Sequence, residues 1–256
     1  MLARFIIAGL VFLITALQAA DRVLIVADEM PAMEILAGKL RGSAGVETLI
    51  IGQTHLPVEL KPFAAVLVYI HRELHETAER AFIDYARSGG KLIVLHHSIS
   101  SGKRKNKFWF DFLGIRLPTG EVDQGGYQWL EPATLTVVNL APQHFITRDQ
   151  VKYPEQTSYR SSNSTEPMAE RDSFSLPDSE VYLNHTFTRP RTVLLGLKYV
   201  NEKTGKLYMQ ESAGWILPAE RGWVLYFMPG HSAKDFENPV FGQILVNAVR
   251  FDPAQP

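Results

Sequence analysis

Four of the eight histidines in this chain stand directly after apolar runs of strand length. His71 follows residues 64–70, His96 and His97 follow residues 91–95, and His231 follows residues 222–228 through Pro229-Gly230. Histidine needs only a modest pKa adjustment to act as a general acid or base near neutral pH. On an extended strand end two neighbours point to opposite sides, so one at most of His96 and His97 is expected to face a cleft. A packed structural histidine is an equally good reading of that pair. For His231 the preceding glycine favours a tight turn that brings backbone and ring close to a ligand. Tyr69 and Asp28-Glu29 stand at strand ends as well, on the same prospective rim.

Three other chemistries bear on the same strand ends. A zinc site from His71, His96 or His97, and His231 is chemically reasonable, because neutral imidazoles suit zinc and three of them leave a position open. No local spacing such as H-E-x-x-H supports it, so acid–base work is preferred and neither metal nor cofactor is assigned. Ser98 beside a histidine suggests a serine hydrolase, yet Leu95-His96-His97-Ser98-Ile99 lacks the glycines of a G-x-S-x-G turn. The chain contains no cysteine, which excludes disulfides, thiolate metal sites and every cysteine nucleophile.

The scaffold must present those strand ends along one edge. Apolar runs at 22–27, 46–51, 64–70 and 91–95 alternate with helical patterns at 31–40 and 73–87, and their unbroken apolarity predicts strands buried on both faces. Such alternation predicts an α/β fold with a doubly wound, mostly parallel sheet, in which ligands bind outside the carboxyl ends of the strands. Further strands are expected at 133–139, 192–200, 213–217 and 222–228, with a hairpin turn at Lys203-Thr204-Gly205 and a closing helix over 239–249. Residues 120–127 read as a loop, and 158–178 as a polar, irregular excursion from one domain.

With 256 residues, 46% hydrophobic and 21% charged, the chain is long enough for a sizeable core. Its 26 basic and 27 acidic residues give no charge-based reason to expect nucleic acid as a partner. Lys103 to Lys107 form the one basic run and read as a solvated loop, with Phe108-Trp109-Phe110 entering the core. Asn163-Ser164-Thr165 and Asn184-His185-Thr186 match the glycosylation sequon. Residues 1–20 read as a secretory signal: Arg4, then an uncharged apolar run ending in Ala19-Ala20, then Asp21-Arg22. The expected mature protein is therefore one exported domain over 21–256, periplasmic or secreted, without stable membrane insertion.

Several segments, in order, resemble the ThuA-like (trehalose utilisation) family of the class I glutamine amidotransferase-like superfamily. Residues 78–96 are similar to its helix, double glycine, strand and histidine. Gln143-His144-Phe145-Ile146-Thr147 resembles its His-Pro-Ile-Thr segment. Ala213-Gly214-Trp215, residues 222–226, Gly230-His231 and Asn238-Pro239 resemble its C-terminal signature. The family's further histidine after glycine-rich sequence has no counterpart in 120–127, and Gln156-Thr157 replace an acidic pair. The resemblance implies a flavodoxin-like three-layer sandwich and a role in carbohydrate metabolism, on disaccharides or keto-sugars. Glutamine hydrolysis through a thioester is excluded, because no thiol stands at the turn Leu95-His96-His97.

The expectation is a sugar ligand in a cleft where His96, His97 and His231 do the chemistry. Tyr69, His71 and the family-matched His144 are expected to contact the substrate. A non-catalytic carbohydrate-binding module and a metal-dependent hydrolase are the alternatives.

Overall fold

The structure is a computed structural model and describes residues 21–161, 164–165 and 167–252. The expected signal segment lies outside them, as does Asn163 of the first sequon. The strands are β1 (Arg22–Ala27), β2 (Glu47–Ile51), β3 (Ala65–Tyr69), β4 (Lys91–Leu95), β5 (Ile115–Arg116) and β6 (Gln128–Asn139). They continue as β7 (Glu155–Tyr159), β8 (Ala169–Leu183), β9 (Thr186–Phe187), β10 (Thr192–Val200), β11 (Leu207–Ala219) and β12 (Gly222–Phe227). The helices are α1 (Met30–Lys39), α2 (Glu76–Arg87), α3 (Trp109–Leu113), α4 (Phe145–Arg148), α5 (Ala233–Glu237) and α6 (Pro239–Arg250).

Ten strands form one sheet in the order β2-β1-β3-β4-β12-β11-β10-β6-β8-β7. The first five are parallel. Val23 to Ala27 and Ala65 to Tyr69 are buried without interruption, because helices cover both faces of this half. Each fully buried Val or Leu contributes about 1.5–3 kcal/mol of transfer free energy. Helix α1 packs with α5 and α6, while α2 packs on β4 and β12 beside α3. The order 2-1-3-4 places the topological switch point between β1 and β3, as in flavodoxin-like folds.

From β12 onward every pairing is antiparallel. This half corrects one expectation: the polar stretch 158–178 is not wholly irregular, because Ser158 and Tyr159 end β7 and residues 169–178 belong to the 15-residue strand β8. An antiparallel strand needs burial on one face only, and β8 mixes exposed and buried positions up to Asp178 before ending in five buried ones. The turn at 203–205 joins β10 to β11 as expected, with Gly205 at φ +68.

Candidate functional site

Each expected histidine leaves the parallel half at its carboxyl edge, and each is held by a separate clamp. After β4 the chain does not continue extended; it turns at once into a short 3₁₀ helix, His96–Ile99. His96 sits at φ +39, a left-handed conformation that costs a non-glycine residue about 1–3 kcal/mol and persists only where its surroundings impose it. Ser98 supplies part of that constraint: its hydroxyl donates to Val68 O at 2.9 Å and accepts from Ile70 N at 3.1 Å. Ser98 is thus a buried clamp between the turn and β3. The turn brings both histidines into one cluster, their rings edge to face at 4.3 Å, where the sequence predicted opposite sides.

His231 follows Gly230, whose φ of +117 is glycine territory. One oxygen of the buried Asp235 carboxylate accepts from Gly230 N at 3.1 Å, His231 N at 2.8 Å and Ser179 Oγ at 2.7 Å. The same carboxylate therefore fixes the His231 turn against β8. The His231 ring lies 5.6 Å from that of His96 and 5.5 Å from that of His97. His71 stacks on His97 at 4.1 Å and contacts Glu29 at 2.8 Å, while Asp28 accepts from His71 N and Arg72 N, both at 2.8 Å.

At the centre is a residue that the sequence reading missed, Glu180. Its Oε2 lies 2.8 Å from His96 Nε2, 3.5 Å from His231 Nδ1 and 3.6 Å from His97 Nε2. A second carboxylate, Glu131 on β6, lies 3.2 Å from His231 Nε2. One donor atom from each of His96, His97, Glu180 and His231 falls within 4.8 Å of the others, as does one from each of Glu29, His71 and His97. A signal for Glu180 did exist: it is an acidic residue directly before the apolar run Val181-Tyr182-Leu183.

The electrostatics divide the cluster. Burial pushes His97 down to about 2, helped by His96 and His71, so its ring is neutral at any physiological pH. The hydrogen-bonding influence of Glu180 outweighs burial at His231 and raises it. Burial alone would raise the Glu180 carboxyl, but His231 and His96 together hold it below the carboxylate range. A ring that resists a proton beside one that holds it more firmly is the pairing that acid–base chemistry uses.

The cluster floors a cleft of about 240 Å³, walled by His71, Ser100, Ser101, Trp129 and Tyr182. Trp129 is 48% exposed. Larger hollows lie beside His185, at about 480 Å³, and at the opposite edge around Lys91, at about 550 Å³. Neither brings several histidines round a shared carboxylate.

Two expected substrate contacts lie elsewhere. Tyr69 is wholly buried and donates to His231 O at 3.2 Å, supporting the floor from below. His144 caps α4 by accepting from Ile146 N at 3.2 Å and packs on Phe251, whose carbonyl accepts from Lys91 at the start of β4. That is the amino edge of the sheet, away from the cleft. The basic run is also not wholly solvated: Lys103 is fully buried and donates to His71 O at 2.7 Å, and burial lowers it to about 8. Trp109 enters the core as expected. Asn184 of the second sequon donates its amide to Val122 O and Gly126 O.

Fold and cleft together define a flavodoxin-like α/β protein with a histidine–carboxylate site at the carboxyl ends of its strands. The sequence model of ThuA, described as trehalose utilisation, matches residues 53–252, and the chain belongs to that family. A ThuA-like protein from Bacteroides uniformis ATCC 8492 superposes with a TM-score of 0.60 at 18% identity, over 91% of each chain. A β-galactosidase from Bacillus circulans sp. alkalophilus gives a TM-score of 0.54 at 10% identity, over 90% of this chain and 30% of its own. One from Rahnella sp. R3 gives 0.53 at 9% identity, over 90% and 31%. At these identities the likeness is one of fold. A search of curated proteins returned no match.

Proposed function

We propose that this protein is an exported member of its family that binds and transforms a sugar, a disaccharide or keto-sugar, in the cleft above His96, His97 and His231. One observation carries the proposal: three histidines and two carboxylates, drawn from four separate segments, converge beneath a half-exposed tryptophan. Sugars have apolar C–H faces that pack on aromatic rings and hydroxyls that need convergent polar partners, and this cleft offers both. Trp129 and Tyr182 provide the aromatic wall, while Glu131, His71 and Ser101 provide polar groups at the rim. Membership of a trehalose-utilisation family supports the same ligand class. Export is supported by the apolar run and small residues that precede Asp21.

The test is a screen of mono- and disaccharides and their keto forms, read by intrinsic tryptophan fluorescence and by chromatography of products. The expected result is binding by one sugar class, weakened about tenfold or more in Trp129→Ala (roughly 1.4 kcal/mol), and turnover lost in His231→Ala. Binding without turnover in the unaltered protein would make it a carbohydrate-binding module and overturn the catalytic role. Absence of binding by every sugar would overturn the proposal.

A further inference from the structure

We propose that His96, His97, Glu180 and His231 hold one divalent first-row transition-metal ion, with its open side facing the sugar cleft. This rests on the cleft being the working site and deepens that reading by naming its cofactor class.

The first argument is spacing. Donors bound about 2.1 Å from a shared ion stand roughly 3.0–3.4 Å apart at angles between octahedral and tetrahedral. The three histidine nitrogens lie 2.8, 3.5 and 3.6 Å from Glu180 Oε2, on either side of that range. Small ring adjustments suffice to centre an ion.

The second argument is donor orientation. His96 Nδ1 faces the carbonyl oxygen of Met228, which has no proton to give, so the ring must donate there. Its Nε2 then faces a Glu180 carboxylate oxygen 2.8 Å away, the same oxygen that lies near His97 Nε2 and His231 Nδ1. A proton on Nε2 would serve His96 alone, whereas one ion would serve all three rings and the carboxylate together.

The third argument is what stands behind the ligands. A metal-bound histidine almost always donates its other ring N–H to a carbonyl or carboxylate, which fixes tautomer and orientation. His96 does so to Met228 O, and His231 presents Nε2 to Glu131 Oε2 at 3.2 Å. Histidine nitrogens with one carboxylate select zinc, iron, manganese or cobalt over magnesium or calcium, which prefer all-oxygen cages. His97, Glu180 and His231 line the cleft while His96 lies behind them, so the free coordination position opens toward the ligand. That position fits a keto oxygen or a pair of neighbouring hydroxyls.

The experiment uses full-length chain expressed without a histidine tag and purified without chelator. Metal content is read by elemental analysis, and chelator-stripped protein is titrated with zinc, manganese, iron(II) and cobalt(II) by calorimetry. One equivalent per chain is expected, with a rise in Tm on loading. Uptake is expected to vanish in Glu180→Gln and to weaken roughly 10- to 100-fold in Glu131→Gln. Glu131 is partly exposed, so that variant keeps the test decisive if Glu180→Gln does not fold. No uptake of any of the four ions, or uptake indifferent to the variants, would overturn the proposal. Sugar binding is measured on stripped and loaded protein in parallel. Sugar binding without metal uptake rejects only the ion, and metal uptake without sugar binding rejects only the carbohydrate function.

Discussion

Two regions of this molecule bury histidine, and they treat it in opposite ways. At the carboxyl edge of the parallel half, His96, His97 and His231 gather round the Glu180 carboxylate. In the antiparallel half His185 lies just as deep, among Phe187, Tyr226 and Arg191, with neither ring nitrogen hydrogen-bonded among the described residues. Burial pushes it down to about 3, and the Arg191 charge adds to the effect. The contrast teaches that burial alone silences a histidine. Burial around a shared carboxylate instead raises one ring and holds the carboxyl ionised.

The largest expected effect tests the edge cluster. His96→Ala removes the closest partner of a buried carboxylate and should cost about 3 kcal/mol of stability, since an orphaned buried charge is expensive. Thermal or urea denaturation checks this, and sugar binding should be lost in the same variant. A cost below about 1 kcal/mol, the range of exposed pairs, would mean that Glu180 is solvated and the cluster is not a buried one.

Next comes the silent histidine. The folded His185 ring resists protonation until about pH 3, whereas an unfolded histidine takes a proton near 6.5. The unfolded state therefore binds the extra proton in that window, and stability falls as pH drops from 6.5 toward 3. At pH 5 the loss from His185 amounts to about 2 kcal/mol. His185→Phe should remove that part of the acid sensitivity in denaturant titrations at pH 7 and pH 5, leaving sugar affinity unchanged. Altered affinity would extend the working site into the antiparallel half.

The smallest effect concerns presentation of the His231 ring. Gly230→Ala imposes a side chain at φ +117 and brings a Cβ within 2.7 Å of the Phe236 ring. About 1–2 kcal/mol of destabilisation is expected, with a several-fold loss of affinity as His231 is displaced. Unchanged affinity would show that Asp235 alone positions the histidine.

The legibility of the sequence follows the same divide. In the parallel half, strands buried on both faces leave unbroken apolar runs, so β1, β3, β4 and the histidines after them were visible as spacing. The joint use of His96 and His97 was not, because a strand end implies opposite faces and only the turn at φ +39 reverses that. In the antiparallel half the signal is diluted by solvent-facing residues and two register shifts between β6 and β8. Glu180 was lost with its strand. Tyr69 was placed on the rim correctly along the chain, but a strand's last residue can point inward, as its buried hydroxyl does. His144 matched a motif whose service here is to cap a helix.

The place of β12 has a consequence for how the molecule comes into being. It is the last of the sheet's strands along the described chain, yet it lies at the seam, pairing with β4 on one side and β11 on the other. A growing chain that has not reached residue 222 owns both halves of the sheet but has no strand to join them. Until then two unpaired edges face water, where they invite the association with other chains that unpaired edges promote. Assembly of the cleft must wait for the same event, because His231 follows that strand and Glu180 lies across the seam. The molecule is thus completed from its middle, by the last strand of its sheet.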